Sequence, residues 1–335
     1  MSYNPKFQIN NDIIRLVAEI SEFSGRLKAD SRLTDNPVLR KGNRIKTIYG
    51  SLAIEQNTLS VEQVTAVLNG KRVLAPPKDI AAVKNAYEAY EHIGEYDPYS
   101  VEDLLQAHAY MMKGLVDFPG CFRSGQVCLA NQDDRIIHFG TLPRYVPELT
   151  EELLEWTQNS EVHPLIKACV FHFEFENIHP FSDGNGRIGR LWHTLLMSRV
   201  NPYFAWLPVE SMVHDHQQEY YNVINQADAS NDASVFIKFM LTIIRDTLNE
   251  ILTEQVAEQV AEQVTEQVVG KVTVEKLMQY CRIPRSRKEI QDFCGFRSRE
   301  YFRDKILKPL LQTGKLRMTL PDKPNSRSQK YIAGS

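Results

Sequence analysis

The stretch from Ile178 to Arg190 reads Ile-His-Pro-Phe-Ser-Asp-Gly-Asn-Gly-Arg-Ile-Gly-Arg. The run before it, 164–177, carries Leu, Ile, Val and Phe on most faces of a helix, which is typical of a helix buried at the centre of a domain. Pro180 disfavours the α conformation for His179, so this helix is predicted to end there. Glycines then permit a tight turn, and helical spacing resumes from about Arg187. The stretch is predicted to be a loop that leads into a helix N-terminus.

This loop carries groups that bind phosphate. The first amides of a helix have no internal partner, and the helix dipole adds positive potential, so Gly184, Asn185 and Gly186 are candidate anion ligands through their backbone. Arg187 and Arg190 lie three residues apart, so they are expected on one side of the first turn, where both can bind phosphate oxygens. The pattern predicts a site for a nucleotide phosphate.

Two further side chains of the loop supply chemistry. Asp183 offers the hard oxygen ligand that Mg²⁺ needs when it accompanies a polyphosphate. His179 is the nearby group that can accept a proton at neutral pH, which makes it the candidate catalytic base. A base, a metal carboxylate, backbone amides and two guanidiniums together indicate phosphate-transfer chemistry with a nucleotide.

Residues 179–190 resemble the signature loop of the Fic (Fido-fold) family, HPFxDGNGRxGR, with Ser182 and Ile188 in the two variable positions. The resemblance implies a mainly α-helical core with a small β-hairpin flap. It also implies a protein adenylyltransferase, which moves AMP from ATP to a Ser, Thr or Tyr hydroxyl of a target protein with Mg²⁺ as cofactor. We further expect self-modification and a homo-oligomeric state. The loop does not encode base recognition, so transfer of UMP or phosphocholine stays open.

Composition is that of a globular protein: 335 residues with 43% hydrophobic and 24% charged side chains. No apolar run reaches the length needed to span a bilayer, and Met1–Asn11 has no hydrophobic segment, so neither membrane insertion nor export is expected. Five cysteines without a CxxC pair argue against a disulfide framework and a zinc cluster. A cytoplasmic location is predicted.

Charge divides the chain. Residues 271–335 contain 16 Lys and Arg against 6 Asp and Glu, a net charge of +10, whereas the remainder carries −13. We predict an N-terminal helical region at 1–95, a catalytic core at 96–250, a helical linker at 251–272 and a basic module at 273–335. The linker contains a repeated Glu-Gln-Val motif, which suits a helical spacer.

An inhibitory helix is predicted at about 43–57. Ser51 and Glu55 are four residues apart and share a helix face. The segment Ser51-Leu-Ala-Ile-Glu55-Gln56-Asn57 resembles the inhibitory motif (S/T)xxxE(G/N) of Fic proteins, which implies that Glu55 pairs with Arg190 and prevents productive seating of the ATP γ-phosphate. Gln56 departs from the motif, which has Gly or Asn at that position. The alternative is that Glu55 is an ordinary solvated glutamate.

Two regions are expected to contact the nucleotide and the target. The resemblance implies a flap at Phe139, Gly140, Thr141 and Leu142, which can hold a target backbone by strand addition. It also implies that three residues in the later part of the core flank the adenine: Tyr220, Tyr221 and Asn231. For the tyrosines a core position is an equal alternative. His172 and Glu176 precede the loop with a spacing that suggests metal ligands, but Pro180 ends the helix, so we expect buried groups with local hydrogen bonds.

The basic module is predicted to contain three helices and a hairpin. Ser286 and Glu289 form a capping box at the second helix, and the third carries Arg299 and Arg303. Three helices followed by a hairpin resemble a winged helix-turn-helix, whose third helix enters the DNA major groove in DNA-binding members. The basic excess suits DNA, although such modules also dock proteins.

Two alternatives to an inhibited adenylyltransferase stay open. In one, Glu55 orients a water that attacks a modified target, so that the protein removes AMP or works in both directions. In the other, the chain is a DNA-binding regulator whose core senses a nucleotide. The presence of both the candidate base His179 and the metal carboxylate Asp183 weighs against a pure sensor.

Overall fold

The chain folds into two compact units, Met1–Asn249 and Glu250–Ser335. The computed structural model describes residues 3–29, 37–126, 128–130, 136–139, 141–267, 272, 274–296, 298–321, 323–324, 326 and 328–334. For 128–130, 136–139, 254–267 and 274–275 the description covers the backbone only. The contacts of the first unit do not separate residues 1–95 from the predicted core, so that finer division stays a prediction.

The described part of the first unit is mainly helical, with one small hairpin. Its helices are α1 (Asn11–Ala29), α2 (Pro37–Ile54), α3 (Val61–Leu68), α4 (Pro77–Glu91), α5 (Val101–Met112), α6 (Val146–Asn159), α7 (Pro164–Ile178), α8 (Asn185–Val200), α9 (Val209–Asp215), α10 (Gln217–Ser230) and α11 (Ser234–Gln267). The last helix continues into the second unit. Strands β1 (Cys128–Ala130) and β2 (Ile136–Phe139) pair antiparallel, with Cys128 opposite Phe139. The predicted fold class is confirmed.

Helices α7 and α8 lie at the centre of the first unit. Phe171 and Phe175 of α7 and Trp192 and Leu195 of α8 are completely buried. Burying a side chain of this size stabilises a fold by roughly 1.5–3 kcal/mol. This packing fixes the C-terminal end of α7 and the N-terminal end of α8, and therefore both ends of the loop between them.

Helix α2 begins earlier and ends sooner than the predicted 43–57. It ends at Ile54 because Gln56 adopts a left-handed conformation with φ 63°. The Asn57 amide then donates to the Leu52 carbonyl at 3.1 Å, which closes the helix end. A capping box of Ser60 and Gln63 opens the next helix.

Helix α2 approaches α9 closely at Gly50. A Cβ at this position would lie 2.6 Å from the carbonyl carbon of Glu210, so only glycine fits without displacing backbone. The Ser211 hydroxyl donates to the Lys46 carbonyl at 2.8 Å across the same contact. These contacts fix α2 within the first unit.

The second unit contains short helices and a small sheet. After the end of α11 come α12 (Val274–Tyr280), β3 (Arg285–Ser286), α13 (Arg287–Cys294), α14 (Arg299–Phe302), a π-helical turn (Arg303–Leu307), α15 (Lys308–Gln312), β4 (Leu316–Met318) and β5 (Lys330–Ala333). The sheet order is β3-β5-β4, with Leu316 opposite Ala333 in an antiparallel pair. Leu277, Ile290, Phe302 and Leu310 form its buried core. This arrangement is compatible with the predicted winged helix-turn-helix. Across the described ranges of both units, no helix has the length and hydropathy required to span a bilayer.

Candidate active site

His179 lies where α7 ends. Its backbone is left-handed, with φ 52° and ψ 62°, and its amide donates to the Phe175 carbonyl at 2.9 Å. The Nδ1 atom of the half-buried imidazole lies 3.2 Å from the Glu176 carbonyl. A proton on Nδ1 is required for that hydrogen bond, and the neutral ring then has its basic lone pair on Nε2. The loop therefore sets both the position and the tautomer of the candidate base.

Asn185 fastens the loop to the first turn of α8. Its Oδ1 accepts from the Phe181 amide at 2.8 Å, and its Nδ2 donates to the Phe181 carbonyl at 2.9 Å. Gly184 precedes it with φ 87°, and a Cβ there would lie 2.6 Å from Sδ of Met112. The predicted anion ligands thus lie at the N-terminus of α8, where the amides of the first turn have no partner within the helix.

His108 supports the loop from α5, and the sequence did not indicate it. Its Nδ1 accepts from the Gly120 amide at 2.8 Å, so its Nε2 carries the proton and donates to the Asp183 carbonyl at 3.0 Å. Its ring stacks on Phe181 with centroids 3.7 Å apart. Burial lowers the pKa of His108 to about 4, which keeps it neutral at physiological pH.

Arg123 joins the loop to the segments on both sides of the flap. The guanidinium donates to the His179 carbonyl at 2.6 Å, to the Gly125 carbonyl at 2.9 Å and to the Ile178 carbonyl at 3.2 Å. A further bond runs to the Thr141 carbonyl. With its donors bound to backbone, Arg123 is a structural anchor of the loop.

The two loop arginines are paired with carboxylates. Arg187, 7% exposed, donates to Oδ1 of Asp183 at 2.9 Å, and among the described residues its buried Nε has no partner. Arg190, 3% exposed, donates to Oε1 of Glu55 at 2.7 Å and is held by the Ser51 hydroxyl and carbonyl at 3.2 and 3.0 Å. Burial alone would lower the pKa of Arg190, but the Glu55 carboxylate, together with Tyr220 and Glu176, raises the pKa above its ordinary value.

A buried polar cluster lies behind Arg190. Burial raises the pKa of Glu176 to about 7, with the Arg190 charge acting in the opposite direction. Its Oε1 has no hydrogen-bond partner in the described part of the chain and lies 3.8 Å from Nε2 of His172. That nitrogen is hydrogen-bonded to the Tyr220 hydroxyl at 3.1 Å. The expected burial of His172 is confirmed, but the hydrogen-bond partner of its side chain lies on another helix, 48 positions later, and is not local as predicted.

The remaining predicted site residues are placed differently from one another. Tyr220 is 2% exposed and packs on Phe236, which favours the core alternative for this residue. Tyr221 is 41% exposed, and its hydroxyl lies 3.5 Å from the Ile54 carbonyl, beside Glu55. Asn231 is an exposed C-cap of α10 with φ 48°.

Of the predicted flap, the backbone of Phe139 lies at the end of β2, Thr141 is half-buried and Leu142 is 50% exposed. Gly140 lies outside the described residues. The described residues contain no cluster of three or more His, Cys, Asp or Glu side chains that could hold a metal by themselves. Asp183, with its side chain 47% exposed, is the carboxylate of the loop.

Fold and site together define a mainly helical protein whose central helix pair is joined by a loop with two arginines at a helix N-terminus. Comparison with known proteins matches residues 98–197 to the Fic/DOC family and residues 272–332 to the Filamentation induced by cAMP protein Fic-like, C-terminal domain. A Fic family protein from Desulfovibrio desulfuricans G20 is 41% identical, with a TM-score of 0.75 over 99% of both chains. The chain therefore belongs to the Fic family.

More distant relatives agree with this assignment. Protein adenylyltransferase fic-1 of Caenorhabditis elegans is 29% identical over 58% of this chain, and Protein adenylyltransferase Fic of Aedes aegypti is 29% identical over 61%. These matches cover 38% and 41% of the relatives' own lengths. The solved Fic-1 structure from C. elegans has a TM-score of 0.60 at 21% identity, over 73% of this chain and 72% of that one, which supports the fold.

Proposed function

We propose that this protein is a Mg²⁺-dependent protein adenylyltransferase that Glu55 holds in an inhibited state. The observation that carries the proposal is the contact between Glu55 and Arg190 at the N-terminus of α8. A buried guanidinium beside helix amides, already bound by an anionic group, is a binding position for a nucleotide phosphate. The names of the relatives support AMP as the transferred group.

In this mechanism ATP phosphates bind the amides of Gly184, Asn185 and Gly186. Arg187 and Arg190 exchange their carboxylate partners for phosphate oxygens. Nε2 of His179 takes the proton from the target hydroxyl while the hydroxyl oxygen forms a bond to the α-phosphorus. The bond between that phosphorus and its bridging oxygen breaks, and diphosphate leaves. Positioning and charge stabilisation supply most of the acceleration.

The residues of the loop fit Mg²⁺ as a cofactor. This ion is usually bound by one or two carboxylates together with substrate phosphates and water. Asp183 supplies one exposed carboxylate beside the anion site, and the metal would neutralise charge on the phosphates. Asp183 also holds Arg187, so phosphate binding would release its carboxylate for the metal.

Base and target recognition are assigned to the neighbouring elements. The exposed ring of Tyr221 is the candidate contact for adenine. Tyr220, as a core residue, and Asn231, as a helix cap, are candidates for positioning the elements around the nucleotide. The hairpin of β1 and β2, with Thr141 and Leu142 after it, is the candidate flap for a target backbone. We also propose a homo-oligomeric state and a cytoplasmic location; sedimentation and cell fractionation test them.

The decisive experiment compares ATP labelled on the α- or the γ-phosphorus. The Glu55→Gly variant is expected to incorporate α-label, and no γ-label, into itself or into proteins of a lysate. His179→Ala in the same background is expected to lose at least about 100-fold of this transfer while ATP binding, measured by calorimetry, persists. Incorporation of γ-label, or transfer that survives His179→Ala, would exclude the proposed mechanism.

Removal of AMP is a second candidate because the Glu55 side chain, 32% exposed, can also orient a water near the site. Incubating AMP-modified self-substrate with the wild type and with Glu55→Gly separates the two activities. AMP released by the wild type alone would assign removal to Glu55. Absence of release from both would leave inhibition as its role.

The second unit is a candidate DNA-binding module because of its excess of basic residues. Arg303 is bound to Asp304 through Nε at 2.9 Å, and Lys308 lies 2.8 Å from the same carboxylate. This pairing lowers the positive potential of the π-helical turn, so phosphate contacts are expected mainly from exposed residues such as Arg299. A gel shift of duplex DNA that Arg299→Ala weakens and salt suppresses would support DNA binding.

A further inference from the structure

A pocket of about 380 Å³ lies next to the signature loop. Its lining includes Phe118, Cys121, Phe122, Ser124, Gln126 and Ser182, together with Arg123. We call it the flanking pocket. None of its lining residues is among those assigned above to the nucleotide, the metal or proton transfer, so its role is separate from theirs.

The lining of the flanking pocket suits an uncharged side chain. Phe118 is 75% exposed and lines the pocket together with half-buried Phe122, so the pocket presents aromatic surface to solvent. The charged group in the lining, Arg123, directs its donors to backbone carbonyls. The volume is near the lower end of the roughly 300–1,000 Å³ typical of ligand sites, so it fits one or two side chains better than an entire nucleotide.

The pocket lies beside the groups that perform the chemistry. Ser182 belongs to the signature loop, three residues after His179, and Arg123 contacts the His179 carbonyl. In phosphoryl transfer the attacking and leaving oxygens are roughly in line. Diphosphate is assigned to Arg190, which the described lining does not include, so the flanking pocket adjoins the acceptor rather than the leaving group.

We propose that the flanking pocket binds a non-polar side chain of the target polypeptide, close in sequence to the acceptor hydroxyl. This inference rests on the proposed function and specifies its substrate: an extended segment with an aliphatic or aromatic residue near Ser, Thr or Tyr. Exposed Leu142 and Tyr145 follow the flap and add apolar surface on the side of the hairpin. Arg123 of the pocket lining binds the carbonyl of Thr141, so this segment adjoins the pocket.

Peptides test this directly in the Glu55→Gly background. Each carries one Thr, with Leu, Gly or Asp at each flanking position in turn, and transfer of α-label is measured. Leu at one flanking position is expected to raise transfer roughly tenfold over Gly, and Asp to give the least. Phe118→Ala should remove the preference for Leu, whereas Leu74→Ala, a fully exposed apolar residue between α3 and α4, should retain it.

A second measurement blocks the pocket chemically. Cys121 is exposed, and Cys169, Cys281 and Cys294 are buried. A bulky maleimide on Cys121, located by peptide mapping, is expected to reduce transfer to Leu-containing peptides about tenfold without changing ATP affinity. The Cys121→Ser protein, treated identically, is the control and should keep its transfer.

The outcomes are distinct. Equal transfer to all peptides, or self-modification without transfer to any peptide, overturns the inference while the proposed function stands. Loss of ATP affinity on labelling assigns the pocket to the nucleotide and also overturns it. Absence of α-label from every acceptor, the protein itself included, refutes the proposed function and the inference with it.

Discussion

Nη2 of Arg190 lies 2.7 Å from Oε1 of Glu55, a residue 135 positions earlier in the chain. The same oxygen contacts the position that a Cβ on Gly186 would occupy. Glu55 thus binds the Arg190 guanidinium and also fills the space beside the amides of the helix N-terminus. A phosphate needs both, so the carboxylate and the phosphate compete for one place.

Glu55→Gly is expected to raise the rate of α-label incorporation roughly 10- to 100-fold, because a charge-assisted hydrogen bond contributes about 1.5–3 kcal/mol. Glu55→Gln, which keeps the shape but loses the charge, should give a smaller increase. Rates are measured at fixed ATP and Mg²⁺. Equal rates for the wild type and both variants would refute inhibition by Glu55.

Gln56→Gly is expected to stabilise the fold by about 1 kcal/mol, since a non-glycine residue pays roughly 1–2 kcal/mol in the left-handed region. The gain is reduced by the greater freedom of glycine in the unfolded chain. Thermal unfolding should shift upward by roughly 2–4 °C. Gln56→Ala, which retains a Cβ, should show no such increase.

His108→Phe keeps an aromatic ring against Phe181 but removes two hydrogen bonds of the loop. We expect a loss of about 1–3 kcal/mol in the free energy of unfolding and a lower rate of transfer, because the Asp183 carbonyl loses its donor. His92→Phe is the control: His92 stacks on Tyr110 and is hydrogen-bonded to Glu95, and neither residue belongs to the loop. An unchanged rate in His108→Phe would show that the loop keeps its geometry without this residue.

The neutral state of His108 links stability to pH. Its pKa of about 4 in the folded protein lies below the ordinary 6.5, so the unfolded chain binds the proton first. Its stabilising contribution is complete above pH 6.5 and is lost as pH falls toward 4. The free energy of unfolding, measured with urea at several pH values between 4 and 7, should change less with pH in His108→Phe than in the wild type.

Glu176 gives the opposite dependence of stability on pH. Its pKa of about 7 in the folded protein exceeds the ordinary 4.5, so the folded state holds the proton longer. The associated stability is complete below pH 4.5 and is lost as pH rises toward 7. We compare the free energy of unfolding of Glu176→Gln with that of the wild type. From pH 4.5 to pH 8 this difference should shift in favour of Glu176→Gln by up to about 3 kcal/mol. Glu155→Gln, at an exposed position on α6, is the control for the substitution itself.

Local patterns were sufficient to predict much of this fold. The end of α7 just before Pro180, the capping box at Ser286 and the hairpin of the second unit all follow from neighbouring residues. These features depend on backbone conformation and on hydrogen bonds a few residues apart, which sequence spacing encodes directly.

Other features depend on contacts between distant segments. The bond from His108 to Asp183 joins residues 75 positions apart, and nothing near His108 in the sequence signals it. The hydroxyl of Tyr220 likewise meets His172 from another helix, which sequence spacing could not distinguish from an exposed contact with adenine. The pairing of Glu55 with Arg190 was predictable only through family resemblance, since most glutamates are solvated.

The close approach at Gly50 has a consequence for how inhibition is relieved. An inhibitor on a second polypeptide can dissociate on dilution, but Glu55 belongs to the same chain as Arg190. Gly50 holds the last turns of the preceding helix α2 against Glu210. The local concentration of the carboxylate is therefore set by the fold and not by the amount of protein. The active fraction should depend on ATP, salt and temperature, and stay constant when the protein is diluted.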